Sequence, residues 1–460
     1  MPKVLRDAGW LATGYLGRSF AYLAVALLLA RVLGPTDYGR LSVFIAVSMT
    51  ISYLAGSWPF LAVPVLVARG DRVSTVVTPA GLLACIVVIP AATVVVLTTA
   101  GVDDLSFELV LPYALALMVL QAVYAVLQAA GAMRRIAAIQ TGERVVALAV
   151  ALVLAATGGL DLTGGQAAVG AGALVASVVS LTALARRTPL LSASSANRDG
   201  LRRVLSAVGS LGIVTLAAYG VAWIDLLILA ALESDAVVGT YAVAYQIFTV
   251  VLQLGALWVV AALPHHARQG KSVQQSLEAT TVTSAALVWS AGVVVVGLLG
   301  AVGLPRLFGA SFRDAVTPLL LLLTTAPLLA LYFPAVPVLI ASDRTRRLAA
   351  VSVGGVVVNV ALDLVLIPPY GILGPALATA AQNALVAVAL GSLILGRNLT
   401  TAVAWLLPAL ASLTALAAWP ESFAARAATA IVALVSLTVG LRGLSSFLPS
   451  RASVVGPGIT

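Results

Sequence analysis

Charge is what this sequence has least of. Asp, Glu, Lys and Arg make up 9% of its 460 residues, against roughly a quarter in ordinary globular domains, so the chain cannot clothe a water-soluble surface. Cysteine is nearly absent too. Cys85 stands alone inside an apolar run, which excludes an internal disulfide and a cysteine-built metal cluster. Histidine occurs only at His265 and His266. Adjacent helical residues point about 100° apart, so these two make a poor metal pair and read better as interfacial residues at a helix end. A glycine-rich phosphate loop, HExxH and a nucleophile elbow are all missing, and no extracytoplasmic connection is long enough to house an active site. No enzyme, no cofactor and no metal site are therefore expected. The net charge of +9 sits in short loops between apolar runs. There it signals loop orientation and contact with anionic lipid headgroups, not a nucleic-acid partner.

What the chain has instead is apolar length. Hydrophobic residues make up 61% of it and the mean hydropathy is +1.09. About 20 apolar residues cross the hydrocarbon as a helix, and a bilayer tolerates no unpaired backbone. The runs predict spans at 10–30, 41–67, 76–100, 109–130, 144–160, 166–185, 204–231, 238–262, 281–303, 315–341, 348–367, 372–395, 402–419 and 427–444. The first is longer than a signal-peptide core and is read as retained. The connections alternate in charge. Lys3/Arg6, Arg69/Arg72, Arg134/Arg135/Arg144, Arg186 to Arg203, Arg268/Lys271, Arg344/Arg346/Arg347, Arg397 and Arg442/Arg451 hold about 20 of the 26 basic residues, and the intervening connections about 5. Retention of Lys and Arg on the cytoplasmic side sets both termini inside.

An internal repeat recurs at about 200 residues. Ala30-Arg-Val-Leu-Gly-Pro-Thr-Asp-Tyr-Gly39 is matched by Ala230-Ala-Leu-Glu-Ser-Asp-Ala-Val-Val-Gly239. Arg134-Arg-Ile-Ala-Ala-Ile is matched by Arg346-Arg-Leu-Ala-Ala-Val. Six helices separate matching features, so the repeats share one topology about an axis normal to the membrane. The expected fold is an all-α integral membrane protein of about 14 transmembrane helices. Two six-helix lobes, 1–185 and 204–396, are related as parallel repeats and joined by a basic cytoplasmic linker at 186–203; two further helices and a short tail fill 397–460.

Ionisable residues inside apolar runs are costly and mark function by default. Arg18 lies mid-run in the first span and Asp225 mid-run in the seventh, at similar positions in their lobes, so both are expected to face a shared cavity. Asp363 and Asn359 share a helix face near the outer Pro368-Pro369, where an interfacial or structural role is expected. Pro59, Pro64, Pro90, Pro327, Pro334 and Pro337 interrupt helical hydrogen bonding and supply bends.

The loop Ala30 to Gly39 with its Gly34, Pro35, Tyr38 and Gly39, the run Leu307-Phe-Gly-Ala, and Leu366-Ile-Pro-Pro-Tyr-Gly-Ile-Leu-Gly-Pro-Ala376 with its Pro368, Tyr370 and Gly371 resemble motifs of a known family. These are the polysaccharide biosynthesis flippases of the O-antigen type, in the superfamily of multidrug and toxin extrusion transporters and lipid II flippases. The order and spacing match over about 400 residues. The resemblance implies alternating access of two lobes around a cationic cavity, with an undecaprenyl-pyrophosphate-linked oligosaccharide as cargo for cell-surface polysaccharide. It also implies Arg18 as the leading pyrophosphate ligand. Asp225, the one carboxylate placed deep in a helix, is read from that position as a proton or Na⁺ coupling residue, or else as the neutralising partner of an arginine. The partners implied are the lipid-linked oligosaccharide, membrane lipid and other glycan-assembly membrane proteins, in the bacterial cytoplasmic membrane. Having few cavity arginines, the chain departs from the lipid II branch. A cation-coupled multidrug antiporter and a membrane-embedded polysaccharide polymerase are the alternatives.

Overall fold

The computed structural model of the chain describes residues 2–68, 70–98, 107–186, 197–269, 279–342 and 344–445. Among these no strand occurs. The helices are α1 (Pro2–Ser52), α2 (Trp58–Phe60), α3 (Ala62–Ala68), α4 (Val73–Thr98), α5 (Phe107–Ala129), α6 (Met133–Thr157), α7 (Leu162–Ala185), α8 (Arg198–Leu232), α9 (Asp235–Gln269), α10 (Ala279–Phe308), α11 (Val316–Thr324), α12 (Leu329–Ala341), α13 (Thr345–Tyr370), α14 (Leu373–Leu395), α15 (Leu399–Ala418) and α16 (Phe423–Ser445). Each expected apolar run lies mainly on helix over its described residues, with turn or coil at Leu61, 158–160, Thr325, Ile372 and Trp419. Among the described residues, eleven helical stretches are long and apolar enough to cross a membrane, one of them, Leu16–Val67, taking in two of the expected runs; two shorter apolar stretches are Val73–Val88 and Trp223–Leu232. The Asp103/Asp104 connection, most of the 186–203 linker and the tail from 446 lie outside the described residues, as do the His265 and His266 side chains.

Sequence punctuation explains the breaks. The expected 31–40 loop is instead nearly continuous helix with one kink, at Gly34 (φ 70°), a left-handed conformation that side chains with a Cβ resist. Ahead of Pro59 the backbone widens into a π-turn at Tyr53–Ser57, and Pro327 sits in a 3₁₀ turn at Ala326–Leu328. Pro334 and Pro337 lie within α12 and Pro64 within α3, without ending either helix. Asp161 caps α7 by accepting from Gly164 N at 2.7 Å, and Asn197 caps α8 by accepting from Gly200 N at 2.8 Å.

Among the described residues, contacts tie alternate connections to one another in two groups. In the arginine-poor group, Arg40 Nε donates to Asp235 Oδ2 at 2.8 Å, Arg31 Nη2 donates to the Arg306 carbonyl at 2.7 Å, and Arg313 stands 3.9 Å from Glu421. In the other group Arg203 lies 3.6 Å from Asp71, and Val204 and Val208 pack with Phe60 and Val76. The core is aromatic and aliphatic, with Phe44 stacked on Tyr113 at 5.6 Å and Tyr38 edge-on to Phe312 at 6.1 Å.

The two motif glycines of the repeat meet here. A Cβ on Gly39 would lie 1.9 Å from Asp235 O, and one on Gly239 would lie 2.0 Å from Pro35 O. Residues 39 and 239, and 35 and 235, are each 200 apart, so the crossing of α1 and α9 has a local two-fold relation. Only glycine permits backbones this close.

Candidate substrate and coupling sites

Two polar clusters are buried in the helices, one in each half of the chain. In the N-terminal half, Arg18 on α1 is half-buried and lies within electrostatic reach of Arg144 and Glu143 on α6 and of Tyr53 and Tyr124. Arg144 pairs with Glu143 at 3.2 Å, with side chains 4% and 6% exposed. Its guanidinium stands 5.0 Å over the Tyr22 ring, one turn along α1 from Arg18. Two guanidiniums against one carboxylate leave the cluster net positive. In a low-dielectric surrounding, such a charge holds an anion far more strongly than it would in water.

Arg144 corrects the sequence reading, which placed it with Arg134 and Arg135 in a connection. Helix α6 begins at Met133, so Arg144 lies eleven residues in, about 16 Å along the axis. Its run of apolar neighbours on one side only, with Glu143 beside it, hid this in the sequence. Arg18 is therefore not the chain's single membrane-embedded cation.

The second cluster surrounds Asp225 on α8. Tyr241 OH on α9 donates to Asp225 Oδ2 at 3.2 Å, and Thr379 Oγ1 on α14 donates to the same oxygen. Asn359 and Asp363 on α13 stand beside Asp225. All five residues are 1% exposed or less. Asp225 Oδ1, both oxygens of Asp363 and the Asn359 amide oxygen have no hydrogen-bond donor. Asp363, expected in an interfacial or structural role, is wholly enclosed among the helices. Two buried carboxylates side by side are tolerable only when a proton or a cation neutralises one of them.

Among the described residues, Arg18 and Asp225 do not line one cavity together. Each residue has its own cluster, and the aromatic series Tyr22, Tyr245 and Tyr241 lies between them: Tyr245 is within reach of both Tyr22 and Asp225 and packs on Tyr241 at 5.8 Å. Tyr22, Tyr245, Trp223 and Gln246 line a cavity of about 20 Å³ at this seam, room for one water. Ser19 Oγ donates to Gln253 Oε1 across it at 2.8 Å. Of the motif residues, Gly34, Pro35 and Gly39 shape the α1–α9 crossing, and Tyr38 is buried beside it. Pro368 and Tyr370 are exposed at the end of α13, and Gly371 (φ 52°) turns the chain beside Glu233.

A helical membrane protein with an enclosed cationic cluster in one half and an enclosed acidic cluster in the other has the build of a carrier. The chain belongs to the polysaccharide biosynthesis protein family, whose model matches residues 4–269. No curated protein matches it. Among solved structures, the lipid II flippase MurJ in an inward closed conformation is similar with a TM-score of 0.70 at 14% identity, over 95% of this chain and 98% of that one. An inward-facing multidrug resistance MATE family transporter of the MOP superfamily follows at 0.65 and 14%, over 84% and 96%. A mutant of the Vibrio cholerae MATE transporter VcmN gives 0.56 at 14%, over 87% and 97%. The chain shares the fold of these three structures.

Proposed function

We propose that the protein is a flippase that carries an undecaprenyl-pyrophosphate-linked oligosaccharide across the bacterial cytoplasmic membrane, acting as a carrier and not as an enzyme. The observation that carries this reading is the net-positive, tyrosine-walled cluster of Arg18, Arg144 and Glu143 deep in a member of the polysaccharide biosynthesis family. Arg18, the more accessible cation, contacts the pyrophosphate, and Arg144 holds the field behind it. Planar guanidinium forks suit phosphate oxygens. Both termini are cytoplasmic, and the arginine-poor connections, where Gly39 meets Gly239, face outward. The two lobes, 1–185 and 204–396, rock about this crossing, with 397–460 appended.

Asp225, with Asn359, Asp363 and Thr379, is the coupling site, taking a proton or Na⁺ whose occupancy biases the lobes. The same acidic cluster favours the second reading, a cation-coupled antiporter of cationic drugs. The two readings separate in reconstituted vesicles. Arg18→Ala is expected to abolish flipping of a fluorescent lipid-linked oligosaccharide at normal protein abundance, with Arg18→Lys recovering part of it. Normal flipping in Arg18→Ala removes the central cation from the mechanism. Topology is checked by reporters, cytoplasmic after Arg135, Arg203 or Arg347 and external after Asp104, Asp161 or Pro369; an external signal at Arg203 inverts the arrangement.

A further inference from the structure

Arginine on the outer side is scarce in this chain, and the structure gathers it. Five basic residues fall there: Arg31, Arg40, Arg306, Arg313 and Arg426. Retention of cations inside disfavours all five, so each needs a physical reason. Arg40 has one in Asp235. The other four converge. Arg306, Arg313 and Arg426 line one cavity of about 430 Å³, and Arg31 reaches its rim through the Arg306 carbonyl. The cavity lies between the α10–α11 connection and the turn joining α15 to α16.

Its charges are only partly matched. Glu421 and Asp314 stand against three guanidiniums. Glu421 is 78% exposed, 3.1 Å from Arg426 and 3.9 Å from Arg313, which is itself 75% exposed. Arg426 is held in plane by its Nε, which donates to the Pro420 carbonyl at 2.7 Å. Arg306 Nη1 donates to the Val302 carbonyl at 2.8 Å. Trp419 and Phe423, 65% and 85% exposed, flank the turn, and an exposed Trp favours the headgroup level. A cavity beside Trp419 at a helix–helix turn is suited to meet lipid phosphates, and it carries an excess of forked donors.

We propose that this cavity is an outer-leaflet site for a lipid-borne phosphate or pyrophosphate group, bound by Arg306 and Arg313 with Arg426 as a fixed third donor. The site lies apart from the Arg18–Arg144 cluster and goes beyond the flippase reading, since binding there requires no transport. Calling the face outer rests on the orientation proposed above, whereas the cavity does not.

The test uses the full chain in phosphatidylcholine nanodiscs, with Cys85→Ser and an environment-sensitive fluorophore on Ala424→Cys, beside the turn. Inorganic pyrophosphate is the probe. The local reporter keeps the result separate from anything bound at Arg18. A saturable signal that weakens with added salt is expected, with apparent affinity falling about tenfold or more in Arg306→Gln/Arg313→Gln and unchanged in Arg442→Gln on the opposite face. No signal in the parent at low salt, or equal affinity in the double variant, overturns the proposal. Two further arms identify the source. Displacement by phosphatidylglycerol assigns the site to membrane phospholipid, and displacement by undecaprenyl phosphate alone assigns it to carrier lipid. Displacement by neither overturns the lipid-borne part of the proposal.

Discussion

Replacing Arg144 by methionine keeps most of the side-chain volume and removes a charge whose partner cannot reach water. Arg144 and Glu143 are 3.2 Å apart with side chains 4% and 6% exposed, so the single variant leaves a carboxylate enclosed with its closest cation gone. Breaking a buried pair from one side costs about 3–5 kcal/mol. Loss of the guanidinium over the Tyr22 ring, 5.0 Å away, adds up to about 2 kcal/mol at a desolvated site. Neutralising Glu143 in the same chain removes the stranded charge, and neutral replacements of buried pairs are often tolerated. Glu143→Gln/Arg144→Met is therefore expected to recover most of the lost stability, a coupling of about 3 kcal/mol across the cycle. Transport is not expected to recover, because the cluster has lost one of its two cations. Thermal unfolding in detergent and flipping in proteoliposomes measure the two quantities on the same four proteins. A loss under about 1 kcal/mol in Arg144→Met refutes the burial argument, since a broken buried pair costs several times that. Normal flipping in the double variant refutes a substrate role for Arg144.

Two further perturbations address the closure and the coupling site. Gly39→Ala puts a Cβ 1.9 Å from Asp235 O, so α1 and α9 must part. At about 1–3 kcal/mol for overpacking, the closed crossing loses about 5- to 150-fold in population. Spin labels at the exposed positions Val32 and Leu232 report this as a longer distance, and an unchanged distribution contradicts it. Asp225→Asn and Asp363→Asn each remove one of two adjacent enclosed carboxylates, and flipping is expected to persist while losing its response to an imposed proton or sodium gradient. A response equal to the parent's in both variants excludes this cluster from coupling.

The spans were legible because a bilayer leaves the chain one option: apolar length dictates helix, and retained arginines mark alternate loops. The 200-residue repeat was legible for a similar reason, since Gly39 and Gly239 close the same crossing from two sides. The partnership of charges was not. Arg144 follows Gln140, Thr141 and Glu143, a polar stretch that reads as a helix end, and only its packing against Tyr22 shows it buried. Asp363 read as interfacial or structural from its distance to Pro368, and nothing in the sequence showed that the packing of α8 against α13 encloses it with Asp225. Long-range pairing of this kind depends on which helices become neighbours. Hydropathy and loop charge carry no information on that.

The glycine crossing has a consequence for how relatives of this chain record their history. Most contacts leave correlated substitutions, because a larger residue on one side is offset by a smaller one on the other. Between Gly39 and Gly239 no such exchange exists: nothing is smaller than glycine, and each backbone already presses on the residue four positions before the other glycine. This close approach of the halves is thus expected to appear in a family as two independently fixed letters with no covariation between them. A contact map inferred from correlated change would be blank at this crossing.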